Sequence, residues 1–261
     1  MAERQLKVLY VAGNGRSGST LLDIILGQVD GFTPVGEVRN MWDYGLVENR
    51  PCGCGEPLRA CATWEAILQH AYGDERPDPR EVARLRERFA QTKRLLPIFM
   101  RGPAYAKDPA VERYLGMLER LYHGIAGATG ARVVVDSSKW PTYAYLLSQI
   151  PSIDLHVLHL VRDARACAFS WGRLKETEPG HYLDRQHPAY STSFWVVWNP
   201  AVQRLFGQRP GRYLFIRYED FTKDPRGSID EVLRFVGEGG AKTPFVAPDE
   251  ILTQWREMGG R

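Results

Sequence analysis

Hydrophobic positions alternate along the chain between two rhythms. Short, continuous apolar runs of the buried-strand kind occupy Leu6–Ala12, Arg132–Asp136, Asp154–Val161 and Tyr213–Arg217, with a brief extended piece at Phe32–Val35. Between them, apolar residues recur three and four apart. Leu21, Leu22, Ile25, Leu26 and Val29 form one stripe; Val82, Leu85, Phe89 and Leu96 a second; Val111, Tyr114, Leu115, Leu118, Leu121, Tyr122 and Ile125 a third. Further helices are predicted over 164–173, over 194–205 with an interruption at Asn199-Pro200, and over 229–236. Strands that are apolar throughout and separated by helices predict an α/β fold, a parallel sheet flanked by helices.

Two segments break the alternation. Residues 49–128 begin with a run punctuated by Pro, Gly and Cys and continue as helices, which predicts an irregular and helical insertion covering one side of the sheet or walling a substrate. Residues 175–191 are polar and broken by Gly and Pro, the composition of a mobile flap. No repeat or linker divides the chain, so residues 1–261 are expected to form a single domain.

Composition narrows the partners. At 261 residues, 44% hydrophobic and 25% charged, the chain can bury a large core. A net charge of +3 is too mild to argue for nucleic acid. No apolar run reaches membrane-spanning length and the N-terminus has no signal-peptide pattern, so a cytoplasmic location is expected. Cys52, Cys54 and Cys61 lie close together, and with His70 they offer zinc-ligand residue types. Their Cys-x-Cys-x6-Cys spacing matches no usual Cys-x2-Cys pair. A metal-free, glycine-rich turn is the expectation there, and no metal is assigned to the site.

The candidate chemistry starts after the first strand. Gly13-Asn14-Gly15-Arg16-Ser17-Gly18-Ser19-Thr20 joins that strand to the first helix. Glycines let the backbone gather N–H groups at one point, and the helix N-terminus adds partial positive charge. Arg16 adds a full charge, and Ser17, Ser19 and Thr20 add hydroxyls. The whole reads as a cradle for a phosphate-like anion; an ordinary turn with capping hydroxyls is the plainer reading. Gly13 and Gly18 have the spacing of the ATP/GTP loop, but Ser19 stands where its Lys would be.

Three more groups fall at strand carboxyl ends, where ligands bind in open α/β sheets. Glu37 follows the Phe32–Val35 piece and faces the anion, unless it is a solvated acid starting the next helix. Lys139 follows Arg132–Asp136 through Ser137-Ser138, unless it is a surface lysine. Arg162 leaves Asp154–Val161, and Ser170 lies about two helical turns on, so that guanidinium and hydroxyl can share a second anion. His156 and His159, within the strand, are expected to be satisfied core or sheet-face histidines.

The segments GRSGSTLL and LVRDARACAFSW, the Lys at a strand end and the Tyr218-Glu219-Asp220 stretch, in this order, resemble the sulfotransferases that use 3′-phosphoadenosine 5′-phosphosulfate (PAPS). Bacterial sulfotransferase-family proteins and their tyrosylprotein-type relatives are the most similar in pattern, from about Leu6 to Phe235. The resemblance implies a P-loop-type sheet and the following roles. Arg16, Ser17, Gly18, Ser19 and Thr20 hold the 5′-phosphosulfate; Arg162 and Ser170 hold the 3′-phosphate; Tyr218 lies near the adenine. Lys139, with Arg16, neutralises the leaving group, and Glu37 is the general base. The implied reaction moves a sulfuryl group in line to a hydroxyl of a small-molecule or carbohydrate-like acceptor and leaves PAP. Many relatives add a late basic, glycine-containing loop at the 3′-phosphate. No clear counterpart stands in Trp255–Arg261, where Arg256 or Arg261 is the candidate substitute. A PAPS/PAP-binding protein without turnover is the second reading, a P-loop kinase the third. Acceptor identity and oligomeric state, a homodimer included, stay open.

Overall fold

The apolar run 6–13 becomes the middle of the sheet. In the computed structural model the described residues are 5–178, 181–183, 185–247 and 250. The elements follow as β1 (Leu6–Gly13), α1 (Ser19–Leu26), β2 (Phe32–Pro34), a 3₁₀ turn at Val38–Asn40 and a π-helical piece at Met41–Val47. Then come α2 (Ala62–Tyr72), α3 (Pro79–Phe89), α4 (Leu95–Arg101) and α5 (Pro109–Thr129). The second half holds β3 (Val133–Lys139), α6 (Pro141–Leu147), β4 (Ile153–Val161), α7 (Ala164–Gly172), β5 (Lys175–Glu178), β6 (His181–Leu183), α8 (Pro188–Phe206), β7 (Tyr213–Arg217), α9 (Tyr218–Lys223) and α10 (Pro225–Phe235). Both α3 and α5 start on an Asp N-cap followed by Pro, and each Asp side chain accepts from the N–H two residues on.

Five strands pair in parallel in the order β2-β3-β1-β4-β7, while β5 and β6 form a separate antiparallel pair. Strand β1 pairs on both edges, Lys7 with Val133 and Asp154, Tyr10 with Asp136 and Val157. Alternation along it then separates two cores. Val8, Tyr10 and Ala12 pack with residues of α2, α5, α6 and α8; Leu9 and Val11 pack with residues of α1 and α10. Both faces are covered, as the continuous apolar runs require, and the expected fold class holds. No helix among the described residues is long and apolar enough to cross a membrane.

Four local expectations change. Helix α1 ends at Leu26, so Val29 reaches the core from the turn beyond it, and Leu21 is 40% exposed rather than in the stripe. The pattern over 81–96 is not one helix. Tyr105 Oη donates to Phe89 O (3.0 Å) and Thr142 Oγ1 to Ala90 O (2.7 Å), so tertiary donors take carbonyls that another turn would have used. The chain restarts as α4, which leaves Leu96 66% exposed. Conversely, α8 runs through Pro200 without interruption. The N–H that Pro200 lacks would have gone to the carbonyl of Val196, a residue 57% exposed and open to water, and Asn199 Nδ2 donates to Trp195 O (3.1 Å). Lastly, α8 already begins at Pro188, inside the stretch expected to be flap, with the His187 side chain accepting from Ala189 N.

Candidate active site

The carboxyl ends of β1, β3 and β4 converge where the chain changes direction across the sheet, the usual ligand crevice of an open α/β fold. Gly13 pairs with Leu160 so closely that a Cβ there would stand 2.3 Å from Leu160 O. The turn that follows leads into α1, whose N-terminus has no side-chain cap and no acid in its first turn. Its first N–H groups have no intrahelical partner. Around it, four buried donor groups lack a protein partner: Asn14 Nδ2, Arg16 Nε and Nη2, and Ser17 Oγ. Arg16 adopts φ +67°, a left-handed conformation rare for a side-chain-bearing residue, and its guanidinium lies 4.8 Å from the Trp171 ring centre. Burial lowers its pKa. Ser19 is buried at the head of α1 and Thr20 is exposed beside it.

Arg162 reaches this loop from β4. Its Nη1 donates to Arg16 O (3.2 Å), and its guanidinium lies 4.4 Å from the Tyr218 ring centre. The same Tyr218 ring packs against Gly18 (φ +96°), where a Cβ would lie 2.4 Å from two ring carbons. Two further bonds hold the β4 exit: Trp195 Nε1 donates to Arg162 O (2.9 Å), and Asp163 N to Glu219 Oε1 (2.9 Å). Ser170 is half-buried on α7, and its hydroxyl makes no hydrogen bond among the described residues.

Strand β3 delivers the lysine through a bulge. Tyr10 opposes Asp136 but Ala12 opposes Lys139, one residue more on β3 than on β1. Lys139 itself has φ +72°. Its Nζ donates to Glu37 Oε1 (2.6 Å) and Ser137 O (2.9 Å). The lysine side chain is 13% exposed and the glutamate 45%. Glu37 is aimed by Asn40, whose Nδ2 donates to Oε2 (2.8 Å); Asn40 Oδ1 in turn accepts from Arg39 (3.2 Å) and Arg86 (3.3 Å). Arg86 is buried on α3 and paired with Asp43 (2.8 Å), so the insertion helps to aim Glu37.

Two acids lie behind this pair. Asp136 accepts from Tyr122 Oη and from Ser138 N (2.8 Å) and Oγ (2.5 Å); burial raises it to about 6 against those bonds. Asp23 of α1 accepts from Ser137 Oγ (2.6 Å), and burial raises it to about 7. Arg39 is buried with its guanidinium 3.6 Å from the Trp140 ring centre, and burial lowers it to about 10. Trp140 heads an aromatic row: Trp198 at 4.5 Å, then Phe194 and Tyr190 along α8 out to the surface.

Asn14, Asp23, Asn40, Arg86 and Trp171 escaped the sequence reading. Asn14 lies inside the glycine-rich turn, Trp171 inside LVRDARACAFSW and Asn40 three residues after Glu37; Asp23 and Arg86 act only through neighbours distant in sequence. His159 is satisfied as expected, by Tyr213 Oη (2.8 Å) and Asn199 Oδ1 (3.0 Å). His156 Nε2 has partners in Asp154 and Arg212, whereas its buried Nδ1 has none. Arg256 and Arg261 lie outside the described residues.

A sulfotransferase-family model matches residues 9–239. Carbohydrate sulfotransferase 4 of Mus musculus is 33% identical over 108 residues, which cover 36% of this chain and 28% of that protein, so the match spans little over a quarter of the relative. Among solved structures, the sulfotransferase domain from the curacin biosynthetic pathway has a TM-score of 0.52 at 18% identity, covering 94% of this chain and 77% of that one. The sulfotransferase domain of the Synechococcus PCC 7002 olefin synthase has a TM-score of 0.48 at 19% identity, covering 90% and 74%. With the family model spanning nearly the whole sheet and its flanking helices, the chain belongs to the sulfotransferase family.

Proposed function

We propose that this protein transfers a sulfuryl group from PAPS to a hydroxyl of a small-molecule or carbohydrate-like acceptor and releases PAP. The carrying observation is the set of buried donors without protein partners around the uncapped start of α1: Asn14 Nδ2, Arg16 Nε and Nη2, Ser17 Oγ. Buried donors left unpaired cost stability, and an anion rich in acceptor oxygens would satisfy them together. In this reading Arg16, Ser17, Gly18, Ser19 and Thr20 hold the phosphosulfate, Arg162 and Ser170 the 3′-phosphate, and Tyr218 flanks the adenine. PAPS supplies a sulfuryl group already activated by its link to phosphate. The chain's own residues do the rest. Glu37 takes the proton of the acceptor hydroxyl, while Lys139 and Arg16 stabilise charge growing on the leaving oxygen. Glu37 and Lys139 hold each other at 2.6 Å, and in this reading binding turns the lysine toward the anion and frees the carboxylate. The aromatic row from Trp140 to Tyr190 offers flat faces for an acceptor ring next to Lys139.

Residues 1–261 are proposed to act as one sulfotransferase domain in the cytoplasm, without nucleic-acid partners. The decisive experiment mixes the protein with PAPS and a panel of alcohols and sugars without added divalent metal, and reads sulfated product and PAP by mass spectrometry. Product formation supports the enzyme. PAP binding without turnover on any acceptor favours a binding protein. ATP turnover with magnesium and no PAP binding overturns the reading, an outcome the missing loop lysine argues against.

A further inference from the structure

We propose that Cys52, Cys54 and Cys61 hold one zinc ion, a structural staple between the Glu37-bearing segment and the first helix of the insertion. The spacing is not that of familiar zinc motifs; the tertiary structure brings the ligands together. Pro51 and Pro57 pair as an antiparallel bridge. Inside it, Cys52 N donates to Glu56 O and Gly55 N to Cys52 O, each at 2.9 Å. This tight hairpin turns the first two thiols to one side. A 3₁₀ turn, Leu58–Ala60, then carries the chain to Cys61, which precedes α2.

The three sulfurs all lie within 4.8 Å of one another, and Cys54 Sγ stands 3.6 Å from Cys61 Sγ. Thiolates bound to tetrahedral zinc at about 2.3 Å sit roughly 3.8 Å apart, so this separation already fits an edge of the tetrahedron. A disulfide would need about 2.05 Å. Cys54 N donates to Cys52 Sγ (3.3 Å), an outer-shell bond of the kind that steadies a metal-bound sulfur. Cys61 is buried, whereas Cys52 and Cys54 are half-buried. One side therefore remains open for a water as fourth ligand. His70 does not supply it: it lies farther along α2, with Nδ1 bonded to Ala66 O (3.0 Å). On binding, three S–H bonds give way to three S–Zn bonds, the protons pass to solvent, and no oxidant or reductant is involved. Three thiolates with no carboxylate or imidazole ligand favour a soft ion, of which zinc is the common one.

The hairpin is well placed to act as a staple. Leu58 N donates to Arg50 O (3.1 Å) and Arg50 N to Tyr44 O (2.9 Å). Arg59 donates from Nε to Leu46 O (2.7 Å) and from Nη2 to Val47 O (2.9 Å), closing the end of the piece that follows Glu37. Metal binding at the hairpin therefore stabilises that piece through bonds already present.

The test is metal content. Protein purified without chelator should carry about one zinc per chain by plasma mass spectrometry. Cys52→Ser, Cys54→Ser and Cys61→Ser should each lose it, and His70→Ala should keep it. Should the serine variants fail to fold, wild type answers alone. Stripping it with a strong chelator should lower its melting temperature, zinc should restore it, and cobalt in its place should give thiolate-to-metal charge-transfer bands. Zinc-free protein that takes up no zinc under reducing conditions, with all three thiols open to a thiol reagent, overturns the proposal. So does a Cys54–Cys61 disulfide in the freshly purified protein, or equal zinc loss in His70→Ala.

Discussion

Glu37 and Lys139 stand 2.6 Å apart, close enough that each neutralises the other. In the proposed mechanism the lysine turns to the anion and the carboxylate is freed, which makes their exchange of partners the sensitive event at this scale. Glu37→Gln should leave PAP affinity near wild type and lower turnover by roughly 10²–10⁴-fold, read from calorimetry and steady-state rates. Normal turnover in that variant would move the base elsewhere. Arg162→Ala should weaken PAP binding by about 2–5 kcal/mol. Because Arg162 also braces Arg16 through its carbonyl, the Arg16→Ala and Arg162→Ala losses should fall short of additive in a double-mutant cycle. Unchanged PAP affinity in Arg162→Ala would leave this arginine as a loop brace only. The charged residues themselves were legible in the sequence, since they stand at strand ends or inside a glycine-rich turn. Asn40 and Arg86 were not, because the chain from Arg86 through Asn40 to Glu37 exists only once α3 has packed on the 41–47 piece.

Strand ends, turns and helix starts decide whether those residues point at one place. The bulge on β3 carries Ser137 and Ser138 past β1 and sets Lys139 in a left-handed conformation; the loop does the same for Arg16. Such residues cost about 1–3 kcal/mol each, and surrounding packing must hold them. Gly18 is the position where loop and α9 meet. Gly18→Ala meets the Tyr218 ring and an unfavourable φ together. It should reduce stability by about 1–3 kcal/mol and weaken PAP binding. In Gly18→Ala/Tyr218→Ala the ring clash is relieved and the backbone strain is not, so stability should recover only in part; full recovery would show that the strain is negligible. Apolar periodicity located most of these elements. It failed over 81–96 and at Pro200, where the outcome depended on which donors and acceptors arrived from elsewhere: Tyr105 and Thr142 ended one helix, and open solvent allowed another to continue.

Across the whole molecule, buried ionisable groups pull stability in opposite directions with pH. Burial holds Asp23 protonated to about 7 and Asp136 to about 6, whereas an unfolded aspartate releases its proton near 3.8. Over that window the folded state binds more protons, so stability falls as pH rises. His159 is lowered to about 4 by burial against an ordinary 6.5, so the unfolded state binds more protons there and stability rises with pH. The two trends partly cancel in the wild type. Asp23→Asn removes one descending contribution. Its urea midpoint should track wild type below about pH 4 and then gain on it up to about pH 7, by at most about 1.4 kcal/mol per pH unit. Parallel curves for the two proteins across that range would show that Asp23 ionises normally.

By itself the sequence determined the α/β class, the order of the strands along the chain and the glycine-rich turn between the first strand and helix, because these are properties of neighbouring residues: apolar runs that must be buried, and glycines that permit a turn. Tertiary structure alone decided that β1 lies between β3 and β4, that Arg162 closes on Arg16 beside Tyr218, that Lys139 meets Glu37, and that three cysteines of irregular spacing share one corner. Most of those outcomes depend on strand pairing and packing between segments more than a hundred residues apart in the chain, and no local pattern encodes such distances.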